Sequence, residues 1–257
     1  MAYKPKTYFA EQQKAVVKWW NPEQGFTAAT YQEGLLKAVR ILQNNLPRNA
    51  LILDAACGKG RATNELARHF RVTACDISKE MLFEVTRLNL SGVETVQADV
   101  GALPFSDNYF DAIVCLEAFV HFQDTKKTLS EFYRVLKHGG TLIFNIDNSH
   151  GAIRMAKEFI NFFVSIVDKN YREERAKRKA IFHTLNPRHV QKEIIAANFI
   201  LFNIFYTGFI MPFTLKDAIV VSERFYNFLQ PLDRVLRKIP LIRMLSTYVF
   251  FVCQRPL

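Results

Sequence analysis

The chain has 257 residues, a net charge of +10 and four cysteines. The cysteines form no CxxC pair, so they indicate neither a zinc site nor a disulfide framework, and a reducing cytoplasm is the expected compartment. The opening residues MAYKPKTYFAEQQK lack the apolar core of a signal peptide, which argues against secretion.

Charge is spread unevenly along the chain. Residues 1–150 contain 17 Lys and Arg against 16 Asp and Glu, whereas residues 151–257 contain 17 against 8. The second part also holds 17 of the 34 aromatic residues. Basic and aromatic side chains together indicate an anionic or amphiphilic partner for the C-terminal part.

The first elements in chain order are predicted to be helical. Residues 1–30 combine many aromatic side chains with charges and Pro22, a pattern that favours short helices serving either as a packing arm or as a lid. Apolar residues then recur at helical spacing from Tyr31 to Asn45, and Pro47 ends that helix.

The stretch LILDAACGKGRAT predicts a buried strand from Leu51 to Ala55, a tight glycine turn and a helix over Ala62–Phe70. Gly58 and Gly60 allow positive φ angles and the close approach of a ligand to the backbone. The free N–H groups at the start of the helix favour an anionic group. The stretch therefore predicts a nucleotide-type cradle.

The kind of nucleotide follows from what the turn contains. Lys59 lies between the glycines and no hydroxyl follows a Gly-Lys pair, so the turn is not a P-loop. A dinucleotide site would need glycine at Thr63 and an apolar residue at Asp54. A carboxylate at that position suits a ligand with a positive end, such as the ammonium and sulfonium of S-adenosylmethionine.

Three more strands are predicted over Arg71–Asp76, Val93–Val100 and Asp111–Glu117. Asp76 then lies at the carboxyl edge of the sheet, where it can accept two ribose hydroxyls, cap the helix that begins near Ser78, or do both.

The loop Ala118–Asp124 follows the fourth strand. His121 in this loop is a candidate general base, with a structural role in the loop as the alternative and His150 and His183 as second choices. A helix over Asp124–Leu136, a turn at His138–Gly140 and a fifth strand over Thr141–Asp147 complete the predicted core.

The remaining chain is predicted to alternate between helices and strands. The uncharged residues 194–215 favour a helix end and a strand over a membrane span, because Asn198, Asn203 and Pro212 interrupt them. The predicted elements are an apolar helix from Ile153 to Val167, a basic run over Lys169–Lys179, a helix over Asn186–Asn198, a strand over Ile200–Phe213, helices over Leu215–Leu229 and Pro231–Ser246, and a last strand over Thr247–Cys253.

The glycine turn, the strand-end residues Asp76 and Asp99, and the segments FDAIVCLEAFVHFQD and VLKHGGTLIF resemble the class I S-adenosylmethionine-dependent methyltransferases. Within this class the chain is most similar to the methyltransferase type 11 branch that includes the ubiquinone and menaquinone biosynthesis enzymes. The resemblance covers about residues 46–146. Ala56 stands where the family often has its first glycine, and alanine is small enough that binding is expected to survive.

The resemblance implies an α/β fold: a doubly wound, mostly parallel, seven-stranded Rossmann-like sheet with a final antiparallel strand and helical insertions in the C-terminal half. It divides the chain into an N-terminal helical arm or lid (1–45), a cofactor-binding core (46–150) and a segment that completes the sheet and adds basic-hydrophobic acceptor-side insertions (151–257).

The resemblance also implies site residues and a cofactor, S-adenosylmethionine. It assigns the ribose hydroxyls to Asp76, the adenine amino group to Asp99 and catalysis to His121, and no metal is expected. The expected cofactor-binding residues are Asp54, Ala56, Gly58, Gly60, Asp76, Ile77, Met81, Asp99, Val100 and Glu117.

The expected activity is methyl transfer to a small-molecule acceptor that is hydrophobic or lipid-linked, in a cytoplasmic protein that contacts a membrane peripherally through its C-terminal half. The alternatives are a tRNA methyltransferase and a non-catalytic S-adenosylmethionine-binding subunit. Nucleic acid is not the expected partner, because the chain has no Asn/Asp-Pro-Pro-Tyr/Phe segment and its basic run contains a single aromatic residue, Tyr171, and no series of stacking aromatics. The sequence predicts neither the oligomeric state nor the acceptor atom.

Overall fold

A computed structural model describes residues 26–151, 155, 159, 185–208, 214–215, 218–219 and 223–257. Seven of its strands form one sheet, and two short strands form a separate hairpin. The sheet strands are β1 Leu51–Ala55, β2 Arg71–Asp76, β3 Val93–Gln97, β4 Phe110–Cys115, β5 Leu136–Asp147, β6 Ile200–Thr207 and β9 Tyr248–Gln254, and the hairpin strands are β7 Thr214–Leu215 and β8 Ala218–Ile219.

The helices follow the strands in an alternating pattern through the first part of the described chain. They are α1 Phe26–Asn45, α2 Arg61–Ala67, α3 Lys79–Arg87, α4 Thr125–Val135, α5 Pro187–Ala196, α6 Glu223–Leu236 and α7 Pro240–Arg243, with a single 3₁₀ turn over Phe119–His121.

The sheet order is β3-β2-β1-β4-β5-β9-β6. β1 pairs in parallel with β2 and β4, and β2–β3 and β4–β5 are also parallel. β9 runs antiparallel to both β5 and β6. The predicted fold, mostly parallel with a final antiparallel strand, is therefore confirmed.

Both faces of the sheet are covered by apolar side chains, which explains why the central strands are nearly continuous apolar runs. On one face Leu35 and Leu42 of α1 pack with Ile52 of β1. On the other face Leu129 and Phe132 of α4 pack in the second core. This two-sided burial places the carboxyl ends of the parallel strands together at one edge, and α2 and α3 begin at that edge.

Local capping agrees with the sequence patterns. The Ser78 side chain accepts the N–H of Met81 at the start of α3, and Asp124 accepts that of Lys127 at the start of α4. Asn186 caps α5 with Pro187 as its first residue. Asn198 has a φ of 65°, the left-handed conformation expected where that helix ends.

Two local predictions are wrong. The predicted turn at His138–Gly140 belongs to β5, which begins at Leu136, because the Gly139 N–H donates to Arg255 O and the Arg255 N–H donates to Gly140 O. The predicted helix over Leu215–Leu229 is also wrong at its start, where β7 and β8 pair, and α6 continues through Pro231.

Several predictions lie outside the described residues. They are the N-terminal arm before Phe26, the basic run over Lys169–Lys179, and most of the apolar helix from Ile153 to Val167. No helix among the described residues combines the length and apolar character needed to cross a bilayer.

Candidate active site

The glycine turn after β1 is left-handed at three positions. Ala56, Gly58 and Gly60 have φ angles of 57°, 55° and 82°. A Cβ added to Gly60 would lie 2.9 Å from Val85 Cγ2, so this glycine is required for packing against α3. A Cβ added to Gly58 would have no protein atom within 4 Å, so a ligand has room to approach the backbone there.

Asp76 at the end of β2 connects this turn to the next helix. Its Oδ2 accepts the N–H of Gly58 at 2.9 Å and its Oδ1 accepts the N–H of Ser78 at 2.9 Å. Burial raises the pKa of Asp76, and these backbone donors oppose the shift. The backbone of Ile77 is a third donor, so of the roughly four acceptor positions of a carboxylate at least one remains for a ligand hydroxyl. The cap of α3 is Ser78 itself, so Asp76 contacts the start of this helix through the Ser78 N–H and is not its cap.

Asp54 is buried directly beneath the turn. The Thr63 hydroxyl donates to its Oδ2 at 2.5 Å. Burial raises the pKa of Asp54 to about 7, with the Thr63 hydrogen bond opposing and the Asp76 charge adding to the rise. Thr63, which stands where a dinucleotide site needs glycine, therefore anchors the carboxylate.

Glu117, just beyond β4, is held from both sides in a left-handed conformation with φ 58°. Its N–H donates to Asn145 Oδ1 at 2.7 Å, and Asn145 Nδ2 donates to its Oε1 at 2.5 Å. The Tyr248 hydroxyl also hydrogen-bonds the Glu117 carboxylate. Burial and the charge of Asp147 raise the pKa of Glu117 to about 8, while the Asn145 and Tyr248 hydrogen bonds oppose this rise.

Arg61, the first residue of α2, faces these carboxylates. Its guanidinium carbon lies 4.2 Å from the centroid of the Tyr31 ring, and its Nη2 donates to Gln32 Oε1 at 3.3 Å. The positive charge of Arg61 lowers the pKa of Glu117, so the two groups are near enough to interact electrostatically.

Sequence reasoning missed five residues of this cluster: Tyr31, Arg61, Asn145, Asp147 and Tyr248. The one sequence signal that could have found Asn145 and Asp147 is their polarity, because they interrupt the otherwise apolar end of β5. Tyr248 pairs with Asp147 only because β9 runs antiparallel to β5. These contacts depend on the order and direction of the strands, which cannot be inferred from the spacing of residues along the chain.

The other residues predicted to bind the cofactor lie just after β2 and β3 and in the first turn of α3. Asp99 Oδ1 accepts the N–H of Gly101 at 3.0 Å, and Val100 is buried. The carbonyl of Ile77 accepts Gln97 Nε2 at 3.0 Å while its side chain is exposed. Met81 is half-buried in the first turn of α3.

Arg134 of α4 holds the loop that follows Asp99. It donates to the carbonyl oxygens of Leu103 and Phe105 at 2.9 and 2.7 Å. It also pairs with Glu131 and Asp107. Arg134 therefore ties the Asp99 loop to α4, together with Glu131, which accepts the Leu103 N–H at 2.8 Å.

His121 ends the 3₁₀ turn after β4, four residues beyond Glu117. Its N–H donates to Ala118 O at 2.9 Å, and its ring Nδ1 is buried. His150 lies beyond β5 with its Nδ1 3.1 Å from Ser149 Oγ. His183 lies outside the described residues. Among the described residues, no group of three or more His, Cys, Asp or Glu is arranged to hold a metal ion.

Residues 53–144 match the family model of the methyltransferase domain, and this segment runs from β1 through the glycine turn to β5. Residues 53–144 are therefore a methyltransferase domain of the class I S-adenosylmethionine-dependent type. The match contains Asp54, Asp76, Asp99 and Glu117, so the strand-end carboxylates belong to the methyltransferase domain itself.

Two curated relatives share this part of the chain. A demethylmenaquinone methyltransferase from Porphyromonas gingivalis is 34% identical over 140 residues, which are 51% of this chain and 56% of the relative. A fatty-acid O-methyltransferase from Mycolicibacterium smegmatis is 35% identical over 97 residues, which are 36% of this chain and 35% of the relative. The chain thus spans about half or less of the curated relatives it matches.

The fold extends beyond the matched segment. Magnesium protoporphyrin IX methyltransferase from Synechocystis superposes with a TM-score of 0.65 at 15% identity, covering 97% of each chain. At that identity the likeness shows the fold alone. It supports including β6 and β9 in the methyltransferase sheet.

The residues present fit S-adenosylmethionine. The open space at Gly58 adjoins Asp76, which retains acceptor capacity for a ligand hydroxyl. The raised pKa values of Asp54 and Glu117 show that the site disfavours further negative charge such as a pyrophosphate, whereas a ligand with a cationic end would favour the ionised form of both groups. These features distinguish the methyltransferase site from a dinucleotide site of similar topology.

Proposed function

We propose that the chain transfers a methyl group from S-adenosylmethionine to a small-molecule acceptor with a hydrophobic part. The observation that carries this proposal is the carboxylate of Asp76, fixed between the N–H groups of Gly58 and Ser78 beside open space. That arrangement leaves acceptor positions directed away from the backbone donors.

Bound S-adenosylmethionine would supply an electrophilic methyl group on a sulfonium. In the proposal Asp76 holds the ribose hydroxyls, and Asp99 with the Val100 backbone holds the adenine edge. Ile77 and Met81 flank the adenine plane with apolar and polarizable surface. Ala56 and Gly60 shape the turn so that the backbone reaches the amino acid end.

Asp54 and Glu117 have a different task. A sulfonium beside these two groups would favour their ionised form, and the ionised form binds the cationic ligand more tightly than a product without the sulfonium charge. These two residues therefore favour the loaded cofactor over its demethylated product, which aids turnover by release. Alignment and exclusion of water supply the acceleration, because the reacting groups are held together in a site with buried walls.

His121 is the proposed general base. It lies on the loop after β4, where the resembled branch frequently has histidine, and a neutral imidazole can take a proton from an acceptor at neutral pH. Its action adds to alignment, since removing the proton of the acceptor makes the attacking atom more nucleophilic.

The proposed acceptor is related to quinones. The support is the identity to the demethylmenaquinone methyltransferase, which extends over more residues than the identity to the fatty-acid enzyme. Both relatives are named for acceptors with long apolar parts, which agrees with the hydrophobic class of acceptor.

The test incubates the full chain with S-adenosylmethionine and, separately, a short-tailed demethylmenaquinone, a fatty acid and tRNA. Mass spectrometry measures methylated product, and Asp76→Asn serves as the matched control. A methylated quinone that the variant fails to make supports the proposal. Product from tRNA alone, or cofactor binding without product from any acceptor, contradicts it.

A further inference from the structure

The helix α6 presents its charged side to the protein. Asp233 is only 3% exposed, and the side chain of Arg237, one turn further, is 9% exposed. Arg237 Nε donates to Asp233 Oδ2 at 2.6 Å. The same guanidinium donates to Tyr206 O at 2.8 Å and to Glu33 Oε2 on α1 at 2.9 Å. This network attaches α6 and the turn after it to the domain.

The opposite side carries apolar side chains that face outward. Phe228 is 77% exposed, and Leu232, Val235 and Ile239 are also exposed. Their spacing of four, three and four residues places them on one face, away from Asp233 and Arg237. A surface helix of a water-soluble domain normally has the reverse arrangement.

The outward apolar face continues into α7. Leu241 is 78% exposed, and Met244 and Leu245 just beyond α7 are exposed as well. We call the set Phe228, Leu232, Val235, Ile239, Leu241, Met244 and Leu245 the apolar stripe. A contiguous exposed patch of this kind marks an interaction surface.

Cations border the apolar stripe. Arg234, Lys238 and Arg243 are all exposed, and the Arg243 guanidinium lies 5.8 Å from the Tyr206 ring centroid. Asp233 is the single acid in the sequence from residue 228 to 247, and it faces inward. The surface therefore combines apolar side chains with positive charge that no outward-facing acid of residues 228–247 offsets.

We propose that the apolar stripe docks on the surface of an anionic phospholipid bilayer. Long cationic side chains beside an apolar row reach phosphate groups while their apolar neighbours enter the boundary between headgroups and acyl chains. Each cation near such a surface contributes on the order of 1 kcal/mol, equivalent to about a fivefold gain in affinity.

This surface lies at the same edge of the sheet as the candidate site. Asn148, just beyond β5, donates from Nδ2 to the carbonyls of Met244 and Ser246 at 2.8 Å each. Tyr248, which hydrogen-bonds Glu117, follows two residues later. A bilayer bound here would present membrane-dissolved molecules near the site, although docking itself does not depend on methyl transfer.

The test is flotation of the full chain with vesicles of phosphatidylcholine alone or mixed equally with phosphatidylglycerol. Wild type is expected to bind the mixed vesicles and to be released by salt. The variant Arg234→Gln/Lys238→Gln is expected to bind them roughly 25-fold more weakly, about fivefold for each cation removed. Leu232→Glu/Leu241→Glu is expected to lose binding even at low salt.

The matched control is Phe202→Glu on β6, because Phe202 is 74% exposed but lies outside the apolar stripe. It should bind vesicles as wild type does. Thermal unfolding of each variant shows that the substitutions leave the fold intact. The proposal is overturned if wild type does not bind anionic vesicles, or if Phe202→Glu loses binding as much as the stripe variants do. It is also overturned if wild type binds no vesicles but sediments as a dimer that Leu232→Glu/Leu241→Glu dissociates.

Discussion

The backbone N–H of Gly58 donates to the carboxylate of Asp76 at 2.9 Å, joining the turn after β1 to the end of β2. The two residues are 18 positions apart, and the bond fixes both the turn and the carboxylate without using all of its acceptor capacity. The geometry of the candidate cofactor site is therefore formed by the protein itself. The predictions below test this geometry and the groups around it.

Ala56 adopts a left-handed conformation that favours glycine, with φ 57°. We predict that Ala56→Gly raises the free energy of unfolding by about 0.5 to 1 kcal/mol, since relief of the Cβ strain exceeds the added chain entropy. Urea unfolding measures the change. Ala55→Gly in β1 is the control and should destabilise the fold, because Ala55 is buried in a regular strand. Equal destabilisation by both would contradict the account.

Burial raises the pKa of Glu117 to about 8. Between pH 4.5 and 8 the folded state therefore keeps a proton on Glu117 that the unfolded chain has released. The contribution of this proton to the free energy of unfolding is complete below pH 4.5 and is lost as the pH rises toward 8. We predict that the stability of the cofactor-free protein falls between pH 5 and 8.5. Each such group contributes a slope of about 1.4 kcal/mol per pH unit.

Glu117→Gln removes this titration while keeping the size of the side chain. Urea unfolding measures the slope of the free energy of unfolding against pH, which should become shallower by about 1.4 kcal/mol per pH unit, the contribution of one group. Glu84→Gln on the outer side of α3 is the control and should keep the wild-type slope. An unchanged slope in Glu117→Gln would show that Glu117 is not the buried titrating group.

Arg134 binds the loop after Asp99 through the carbonyls of Leu103 and Phe105. We predict that Arg134→Met lowers the free energy of unfolding by about 1 to 3 kcal/mol, because these carbonyls lose a charged donor. It should also weaken cofactor binding through the displaced Asp99. Arg87→Met is the control, since Arg87 makes only an exposed 3.5 Å pair with Glu84. Equal effects of the two variants would contradict the role of Arg134.

His121→Ala tests the proposed base. We predict that kcat falls by about a hundredfold or more while S-adenosylmethionine affinity stays near wild type. His138→Ala is the control, because His138 contacts Pro256 O near the chain end. Turnover and calorimetry on the same preparations separate the two effects. Wild-type turnover in His121→Ala would remove this residue from the mechanism.

Much of the core was predictable because its signals are local. β1 and β2 have the predicted bounds, since apolar runs of five or six residues between turns are long enough for a strand but too short for a helix. Asp54, Asp76 and Asp99 were expected at one edge because parallel strands end together. The confirmed cap at Asn186 likewise depends on side chains a few residues apart.

The errors arise where distant partners decide the structure. Gly139 and Gly140 read as a turn, yet they pair with Arg255 more than a hundred residues away. The cluster around Glu117 needed β9 to run antiparallel, which brings Tyr248 to the carboxyl edge. The sequence predicted basic-hydrophobic insertions in the C-terminal half but no apolar stripe on α6, whose outward orientation depends on the contact of Arg237 with Glu33 on α1.

The most direct measurement is calorimetric titration of S-adenosylmethionine into wild type, Asp76→Ala and Asp111→Asn. Asp111 is a carboxylate at the opposite edge of the sheet, where it accepts the N–H of Leu51 at 2.8 Å. The account predicts binding to wild type and Asp111→Asn, and a loss of binding in a folded Asp76→Ala. Equal affinity in all three proteins, or no binding to folded wild type, would contradict it.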